Sequence, residues 1–311
     1  MATQRWGLTI SIPGLRLGEL EDVVRRAEAA GYTDFWTGET QGPDGFTPLA
    51  LASTWTKSAR LATGVVGVFQ RGPALLAMEA SALADASEGR FVLGIGSSSN
   101  VIVERWNGFP FEKPLTKVSE TVDYLRAVLA GERGEGGFKL EQPPEHPAPI
   151  VVGALRGKML ALAAEKADGA MTNFLPLSGL PAIRDQVSAA GDGFELVCRF
   201  FCLPGPREQV EATARWMFAA YATVPVYTEF FRWLGHGDAI EEMVTAWGER
   251  DRERALAAAP WELIEETFIL GEPDEMRAQI QRFIDGGVTM PTLVPITEAD
   301  KVAETVEALA P

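Results

Sequence analysis

Short apolar stretches alternate with amphipathic stretches along almost the whole chain, and this alternation restricts the fold more than any other feature. The apolar stretches have the length and composition of buried strands, while the others repeat apolar residues at helical spacing. Strands that alternate with helices form parallel sheets with crossover helices on their faces. The predicted strands are residues 6–12, 33–37, 61–69, 91–95, 150–153, 169–173, 194–203, 268–270 and 290–294.

Eight or nine such strands fit a closed (β/α)8 TIM barrel better than an open doubly wound sheet, although the open sheet stays an alternative at this point. A chain of 311 residues suits a single domain of this kind, so residues 1–311 are interpreted as one unit. The alternation breaks only over residues 223–267, which are helical in pattern and rich in aromatic side chains. We expect this segment to be a helical insertion near the C-terminal third.

Composition excludes several classes of function. A net charge of −15 argues against a nucleic-acid partner, because phosphate binding needs an excess of cations. No apolar stretch is long enough for a membrane span and no secretion signal precedes the first strand, so a cytoplasmic protein is expected. Cys198 and Cys202 would lie about 13 Å apart on a strand, too far for a disulfide. With two cysteines and two histidines, no metal site is predicted.

Ligands bind at the carboxyl ends of parallel strands, so the loops that follow the predicted strands are the candidate site. The strand that begins at Phe91 ends in Gly94 and Gly96 and then gives way to small polar residues up to Asn100. After residues 150–153 the loop carries Arg156 and Lys158 immediately before a helix, which is a suitable place for an anion. Tight strand–helix packing and an ordinary turn with solvated cations are the alternatives for these two loops.

Three segments carry a resemblance to a known family: RFVLGIGSSSNVIVERWNGFPFEKPL, PIVVGALRGKMLALAAEKADGAMTNFLP and FILGEPDEMRAQIQRFIDGGVTMPTLVPI. Together they resemble the luciferase-like monooxygenase superfamily, and within it the oxidoreductases that use the deazaflavin coenzyme F420. The resemblance implies a TIM barrel that holds a flavin or deazaflavin at the carboxyl ends of its strands. We also expect a small-molecule substrate, no membrane contact and a homodimer.

The resemblance also implies roles for particular residues. A bulge with a non-prolyl cis peptide at Gly64–Val65 would support the cofactor ring. The loop at residues 96–100 would line the ring and ribityl chain, and the loop at residues 153–158 would receive the phosphate. The predicted cofactor-binding residues are Thr40, Gly64, Val65, Gly96, Ser97, Ser98, Ser99, Asn100, Gly153, Ala154, Leu155, Arg156, Gly157 and Lys158.

The sequence departs from one pattern of that family. Some deazaflavin dehydrogenases carry an acidic residue and then a histidine after the second strand, whereas this chain has Glu39 and Thr40. Neither His146 nor His236 falls at a predicted strand end. Glu39 is therefore the candidate catalytic residue, as a proton donor in a pocket that raises its pKa. The alternative is a structural carboxylate that holds backbone N–H groups or the edge of the ring.

The expected function is that of an F420-dependent oxidoreductase, which would transfer a hydride between the deazaflavin and a C=C, C=N or C=O bond of a small organic substrate. Two alternatives stay open. One is an FMN-dependent monooxygenase that works with a separate flavin reductase. The other is a flavin-binding protein without catalytic activity.

Overall fold

The protein forms a closed barrel of parallel strands. Its computed structural model describes residues 4–311. The barrel closes because the last strand pairs with both the first strand and the strand at residues 195–204, which rules out the open sheet. The strands are β1 (Gly7–Thr9), β2 (Asp34–Thr37), β3 (Arg60–Thr63), β4 (Val66–Gly67), β5 (Phe91–Gly96), β6 (Ile150–Gly153), β7 (Gly169–Asn173), β8 (Glu195–Pro204), β9 (Ile269–Gly271) and β10 (Met290–Pro295).

The predicted strands need two corrections. The third one, predicted as a single strand over residues 61–69, is divided into β3 and β4 by an interruption at Gly64 and Val65. The predicted strand at residues 268–270 corresponds to β9, which pairs only with the end of β8 and stays outside the ring of eight barrel strands. Both differences arise from pairing between strands, which a single stretch of sequence does not encode.

Helices surround the barrel, and they form on the amphipathic stretches between the strands. Pro73 occupies the first turn of its helix and Gly31 ends another in a left-handed conformation, with φ 109°. The helices are α1 (Leu20–Ala30), α2 (Thr47–Trp55), α3 (Pro73–Ala86), α4 (Pro114–Leu129), α5 (Gly157–Lys166), α6 (Leu180–Gln186), α7 (Arg207–Ala222), α8 (Pro225–Trp233), α9 (Gly237–Gly248), α10 (Arg252–Ala257), α11 (Trp261–Thr267), α12 (Pro273–Asp285) and α13 (Val302–Ala308).

The segment after β5 is more regular than its sequence suggests. Residues Val101–Trp106 form one short π-helix, which begins directly after Asn100. The sequence predicts an irregular stretch over residues 105–114, because polar and aromatic residues follow one another there without helical periodicity, and the end of the π-helix overlaps its start. π-Helical turns occur often beside functional sites, and this one extends the polar loop at the end of β5.

The helical insertion is confirmed, and it has a core of its own. Helices α8 to α11 lie between α7 and β9, and together with α7 they bury an aromatic cluster. Phe231 is fully buried in that cluster, while Phe230, also fully buried, packs into the main core of the barrel. The cluster includes Phe174, which directly follows β7. The Phe174 ring stacks on Tyr221, with centroids 4.2 Å apart. The insertion is therefore packed directly onto the carboxyl end of β7.

The barrel interior is filled in layers, as in other barrels of this type. At the amino end Asp34 is fully buried and pairs with Arg5 and Arg60, and both arginines also pair with Glu195. Above these charges lies an apolar layer that includes Trp36, Ala62, Val92, Val151, Met171, Val197 and Met290. These two layers close the amino end, so any ligand has to enter at the carboxyl end.

Within residues 4–311, no helix combines the length and the apolar character needed to cross a membrane.

Candidate active site

The layer above this apolar plug is unusually poor in side chains on one side of the barrel. Side chains alternate between the two faces of a strand, so the residues two and four positions after Val92 and two positions after Val151 also face the interior. Those positions are Gly94, Gly96 and Gly153, on the neighbouring strands β5 and β6. Three inward glycines on adjacent strands leave room at the carboxyl end for a side chain from the neighbouring strand.

Val65 fills the floor of that space. The Gly64–Val65 peptide bond is cis, as the family resemblance implies. A methyl group added to Gly96 or Gly153 would lie 2.8 Å or 3.1 Å from the Val65 Cγ2 atom. The glycines thus make room for this side chain, which stays partly exposed on its other side. We call Gly94, Gly96, Gly153 and the Val65 packed on them the glycine platform.

Hydrogen bonds from Thr63 hold the interrupted strand in place. Its hydroxyl donates to the Gly94 carbonyl at 2.8 Å and accepts from the Gly94 N–H at 2.7 Å. These two bonds replace ladder bonds that the interruption removes between β3 and β5. The Gly64 N–H donates to the Thr37 carbonyl on the other side, at 2.6 Å. The backbone that presents Val65 is therefore fixed from both neighbouring strands.

The serine loop lies beside the platform. Ser97, Ser98 and Ser99 are partly exposed, and Asn100 is exposed just before the π-helix. Ser98 has a φ of 62°, and its hydroxyl accepts a hydrogen bond from the Gln70 side chain at 3.3 Å. The Ser99 hydroxyl accepts from the Ile102 N–H. Thr40 lies apart from this loop, exposed at the end of β2.

The other predicted loop forms the start of α5. Arg156 precedes the first residue of the helix, Gly157 has a φ of 50°, and Lys158 is exposed. Ala154 is buried, while Leu155 packs against the main core. Arg156 also donates to the Val226 carbonyl at 3.1 Å, which ties this loop to the insertion. Free N–H groups at a helix start together with two cations suit a phosphate.

Glu39 is held by other protein groups. Both of its carboxylate oxygens accept from Arg71, at 2.6 Å and 2.8 Å, and one also accepts from the Gly45 N–H at 3.0 Å. The hydrogen bonds and charge of Glu39 raise the pKa of Arg71, against the opposing effect of burial. This geometry corresponds to the structural alternative for Glu39 and leaves its predicted role as a proton donor without support from its contacts.

A double-mutant cycle tests this interpretation. We expect Glu39→Gln and Arg71→Gln each to lower the free energy of unfolding by about 1–2 kcal/mol, with the double variant little worse than either, since the pair is bidentate and partly buried. Denaturant unfolding of the four proteins measures the coupling. The exposed pair Glu21 and Arg25 is the control, with an expected coupling below about 0.5 kcal/mol. If Glu39→Gln abolished turnover with stability intact, the carboxyl would be a proton donor after all.

Three polar side chains that sequence reasoning missed lie across the mouth from the platform. Asn173 and Arg199 are direct neighbours in register on β7 and β8, and both face the interior. The Asn173 amide donates to the hydroxyl of Tyr227 at 2.8 Å, and burial raises the pKa of Tyr227 to about 12. We call Asn173, Arg199 and Tyr227 the polar wall. A cation in the middle of the apolar run LVCRFFC was the available signal, whereas nothing in the sequence places Tyr227 beside it.

The histidines lie elsewhere. His146 lies in the connection before β6, at the amino end of the barrel. It packs against Gly89, which precedes β5. His236 precedes α9 in the insertion, and its Nε2 lies 3.2 Å from the Ser178 hydroxyl. The prediction that neither histidine falls at the end of a barrel strand is confirmed.

These features fit a flat cofactor with a phosphate-bearing tail. The platform offers a surface without long side chains, and the start of α5 offers N–H groups and cations. In addition, the Asn173 Oδ1 and Arg199 Nε atoms are buried without a partner in the described part of the chain. Buried polar atoms of this kind are rare in native proteins unless a ligand or water satisfies them.

Comparison with known proteins agrees with this geometry. The family model described as luciferase-like monooxygenase matches residues 2–290. A Mycobacterium tuberculosis protein that is named, provisionally, a coenzyme F420-dependent oxidoreductase is 30% identical, over 86% of this chain and 88% of the relative. The 5,10-methylenetetrahydromethanopterin reductase of Archaeoglobus fulgidus is 29% identical, over 89% of this chain and 90% of the relative.

Among solved structures, the coenzyme F420-dependent tetrahydromethanopterin reductase of Methanopyrus kandleri shares the fold, with a TM-score of 0.76 and 21% identity. The superposition covers 99% of this chain and 98% of that structure. The likeness thus extends over the entire barrel, including the insertion. From its sequence match and its architecture, this chain belongs to the luciferase-like monooxygenase family.

Proposed function

We propose that the protein is an F420-dependent oxidoreductase that transfers a hydride between the deazaflavin and a C=C, C=N or C=O bond of a small organic substrate. The observation that carries this proposal is the glycine platform with Val65 on it, at the carboxyl end of the barrel, together with the N–H groups and two cations at the start of α5, which suit an anion. The named activities of the relatives support the deazaflavin over other cofactors.

In this proposal each part of the site has a separate task. Val65 and the glycines below it support the ring, and the loop at residues 97–100 lies along its edge and chain. Arg156, Lys158 and the first N–H groups of α5 bind the phosphate. When bound, the deazaflavin supplies hydride transfer, and the protein supplies position and exclusion of water.

Reduction of a double bond also needs a proton or a hydrogen-bond donor near the acceptor atom. Glu39 has both oxygens engaged by Arg71, so we assign this task to the Tyr227 hydroxyl. That oxygen accepts from Asn173, and its own proton forms no hydrogen bond to another described group. Because burial raises the pKa of Tyr227 to about 12, the hydroxyl keeps its proton at neutral pH.

An FMN-dependent monooxygenase is the second candidate, because the matching family is described as monooxygenases. Fluorescence titration of the purified protein with F420 and with FMN separates the two. We expect F420 to bind with a micromolar Kd or better. Binding of FMN alone would overturn the proposal in favour of the monooxygenase. Binding of F420, with no oxidation of the reduced cofactor by any of a broad panel of acceptors, would favour a protein without catalytic activity.

The same titration tests the phosphate site. We expect the double variant Arg156→Gln/Lys158→Gln to bind F420 roughly 10-fold more weakly at low salt, with a smaller difference at high salt because screening weakens both contacts. Lys139→Gln is the control, since this exposed lysine lies in the connection before β6, at the amino end. Equal losses in the control and the double variant would contradict a local phosphate site.

A further inference from the structure

Arg199 is a cation inside the barrel that lacks an anionic partner. Its side chain extends from β8 toward β2, where a methyl group on Gly38 would lie 3.7 Å from the Arg199 Nη1 atom. Its guanidinium carbon lies 4.9 Å from the centre of the Phe201 ring. Within residues 4–311 no carboxylate pairs with it, and its Nε donor has no hydrogen-bond partner. Burial accordingly lowers the pKa of Arg199.

This isolation is unusual for the molecule. The other arginines of the barrel interior, Arg5 and Arg60, each pair with Asp34 and Glu195. An unpaired buried charge is costly, and proteins retain one mainly where it has a task other than stability. A purely structural arginine would be expected to have its donors satisfied, as Arg5 and Arg60 do.

Several unsatisfied polar groups lie on inward faces of the barrel strands. Among the few buried polar atoms without a partner in the described chain are Trp36 Nε1, Asn173 Oδ1 and Arg199 Nε, on the inward faces of β2, β7 and β8. Thr292 continues the layer on β10, directly opposite Arg199 in register. Hydrogen-bond donors therefore predominate among the unsatisfied atoms of these inward faces, and the Arg199 guanidinium is the only charged group among them.

The mouth of the barrel thus has an uncharged side and a polar side. Strands β3 to β6 present the glycine platform, which has no charge, while β7 and β8 present the polar wall. A flat ring on the platform would leave the wall facing the space above it, where a substrate has to lie for hydride transfer. An arginine fork recognises carboxylates through two parallel hydrogen bonds.

We infer that Arg199, assisted by Asn173, binds a carboxylate group of the substrate, so that the protein acts on small unsaturated, oxo or imino carboxylic acids. This inference rests on the proposed function and names the class of substrate for it. It assigns Arg199 to the substrate and not to the cofactor, whose anionic tail is assigned to Arg156 and Lys158.

The test compares carboxylates with their neutral amides. Acetate, crotonate and cinnamate, each beside its amide, are titrated into the F420-loaded protein by calorimetry. We expect at least one carboxylate to bind about 100-fold more tightly than its amide, because a buried bidentate pair is lost in the amide. Arg199→Gln should abolish this preference, and Arg199→Lys should retain part of it. No preference for any carboxylate in the wild type would overturn the inference.

Two further measurements keep the result unambiguous. F420 affinity should change by less than about 2-fold in Arg199→Gln, and a loss of 10-fold or more would assign Arg199 to the cofactor and overturn the inference. If F420 fails to bind even the wild type, the proposed function fails, whatever the variants do.

Arg199→Met should melt at the same temperature as the wild type or higher, since it removes an unpaired buried charge. A clearly lower melting temperature would indicate a structural arginine and would also overturn the inference.

Discussion

Replacing Gly94 with alanine is expected to disrupt the proposed F420 site and to weaken F420 binding by about 100-fold or more. The new methyl group would lie 1.7 Å from the Thr63 carbonyl oxygen, which is a backbone atom and cannot rotate away. Relief therefore requires β3 and β5 to separate, and this breaks the two hydrogen bonds of Thr63 and displaces Val65. We expect the free energy of unfolding to fall by about 3 kcal/mol as well.

Fluorescence titration and denaturant unfolding measure the two effects of this substitution. Gly18→Ala is the matched control, because nothing lies within 4 Å of a methyl group at that position. It should bind F420 as the wild type does and unfold at nearly the same denaturant concentration. If Gly94→Ala bound F420 normally, the close approach of β3 to β5 would not be a requirement of the site.

Truncation of Phe174 to alanine should cost about 3–5 kcal/mol of unfolding free energy, the largest loss that we expect from a single side chain. Its ring is buried and contacts Phe201, Tyr221, Tyr227 and Phe268, with centroid distances from 4.2 Å to 5.6 Å. These contacts connect the end of β7 to the insertion. Their loss leaves a cavity and frees Tyr227, so we also expect slower turnover of any substrate that the variant still binds.

Trp216→Ala provides the aromatic control for Phe174→Ala. This tryptophan lies on α7 and is 57% exposed, so its removal should change stability by less than about 0.5 kcal/mol. Urea unfolding followed by circular dichroism compares the two variants. A loss below about 1 kcal/mol in Phe174→Ala would mean that the insertion is held to the barrel by other contacts.

Local patterns allowed much of the fold to be predicted. The barrel strands and most helices lie close to their predicted positions, because burial on both faces produces apolar strands and burial on one face produces periodic helices. The family resemblance located the cis peptide at Gly64–Val65, and the structure confirms it. Strand boundaries that depend on pairing between strands were not predicted, as in the division of β3 from β4.

The candidate site was likewise predictable where it depends on single strands, and not where it depends on contacts between distant residues. The loops at residues 96–100 and 153–158 follow single strands, so glycines and cations next to an apolar run were enough to find them. The partners of Glu39 were not predictable, since Arg71 lies 32 residues further along the chain and meets it only in the folded protein. The same holds for Tyr227, which comes from the insertion and reaches Asn173 across 54 residues.

By itself, then, the sequence determined a barrel of alternating strands and helices, the ends of the strands that carry its loops, and the family to which it is similar. The barrel and its strand ends depend on short-range periodicity, and the family similarity depends on the motifs of three segments; each stretch of chain carries these signals independently. Only the tertiary structure decided that Val65 lies on three glycines, that Glu39 is neutralised by Arg71, and that Arg199 has no such partner. Whether a charge is paired depends on which strands become neighbours when the barrel closes, and no single stretch of the chain contains that information.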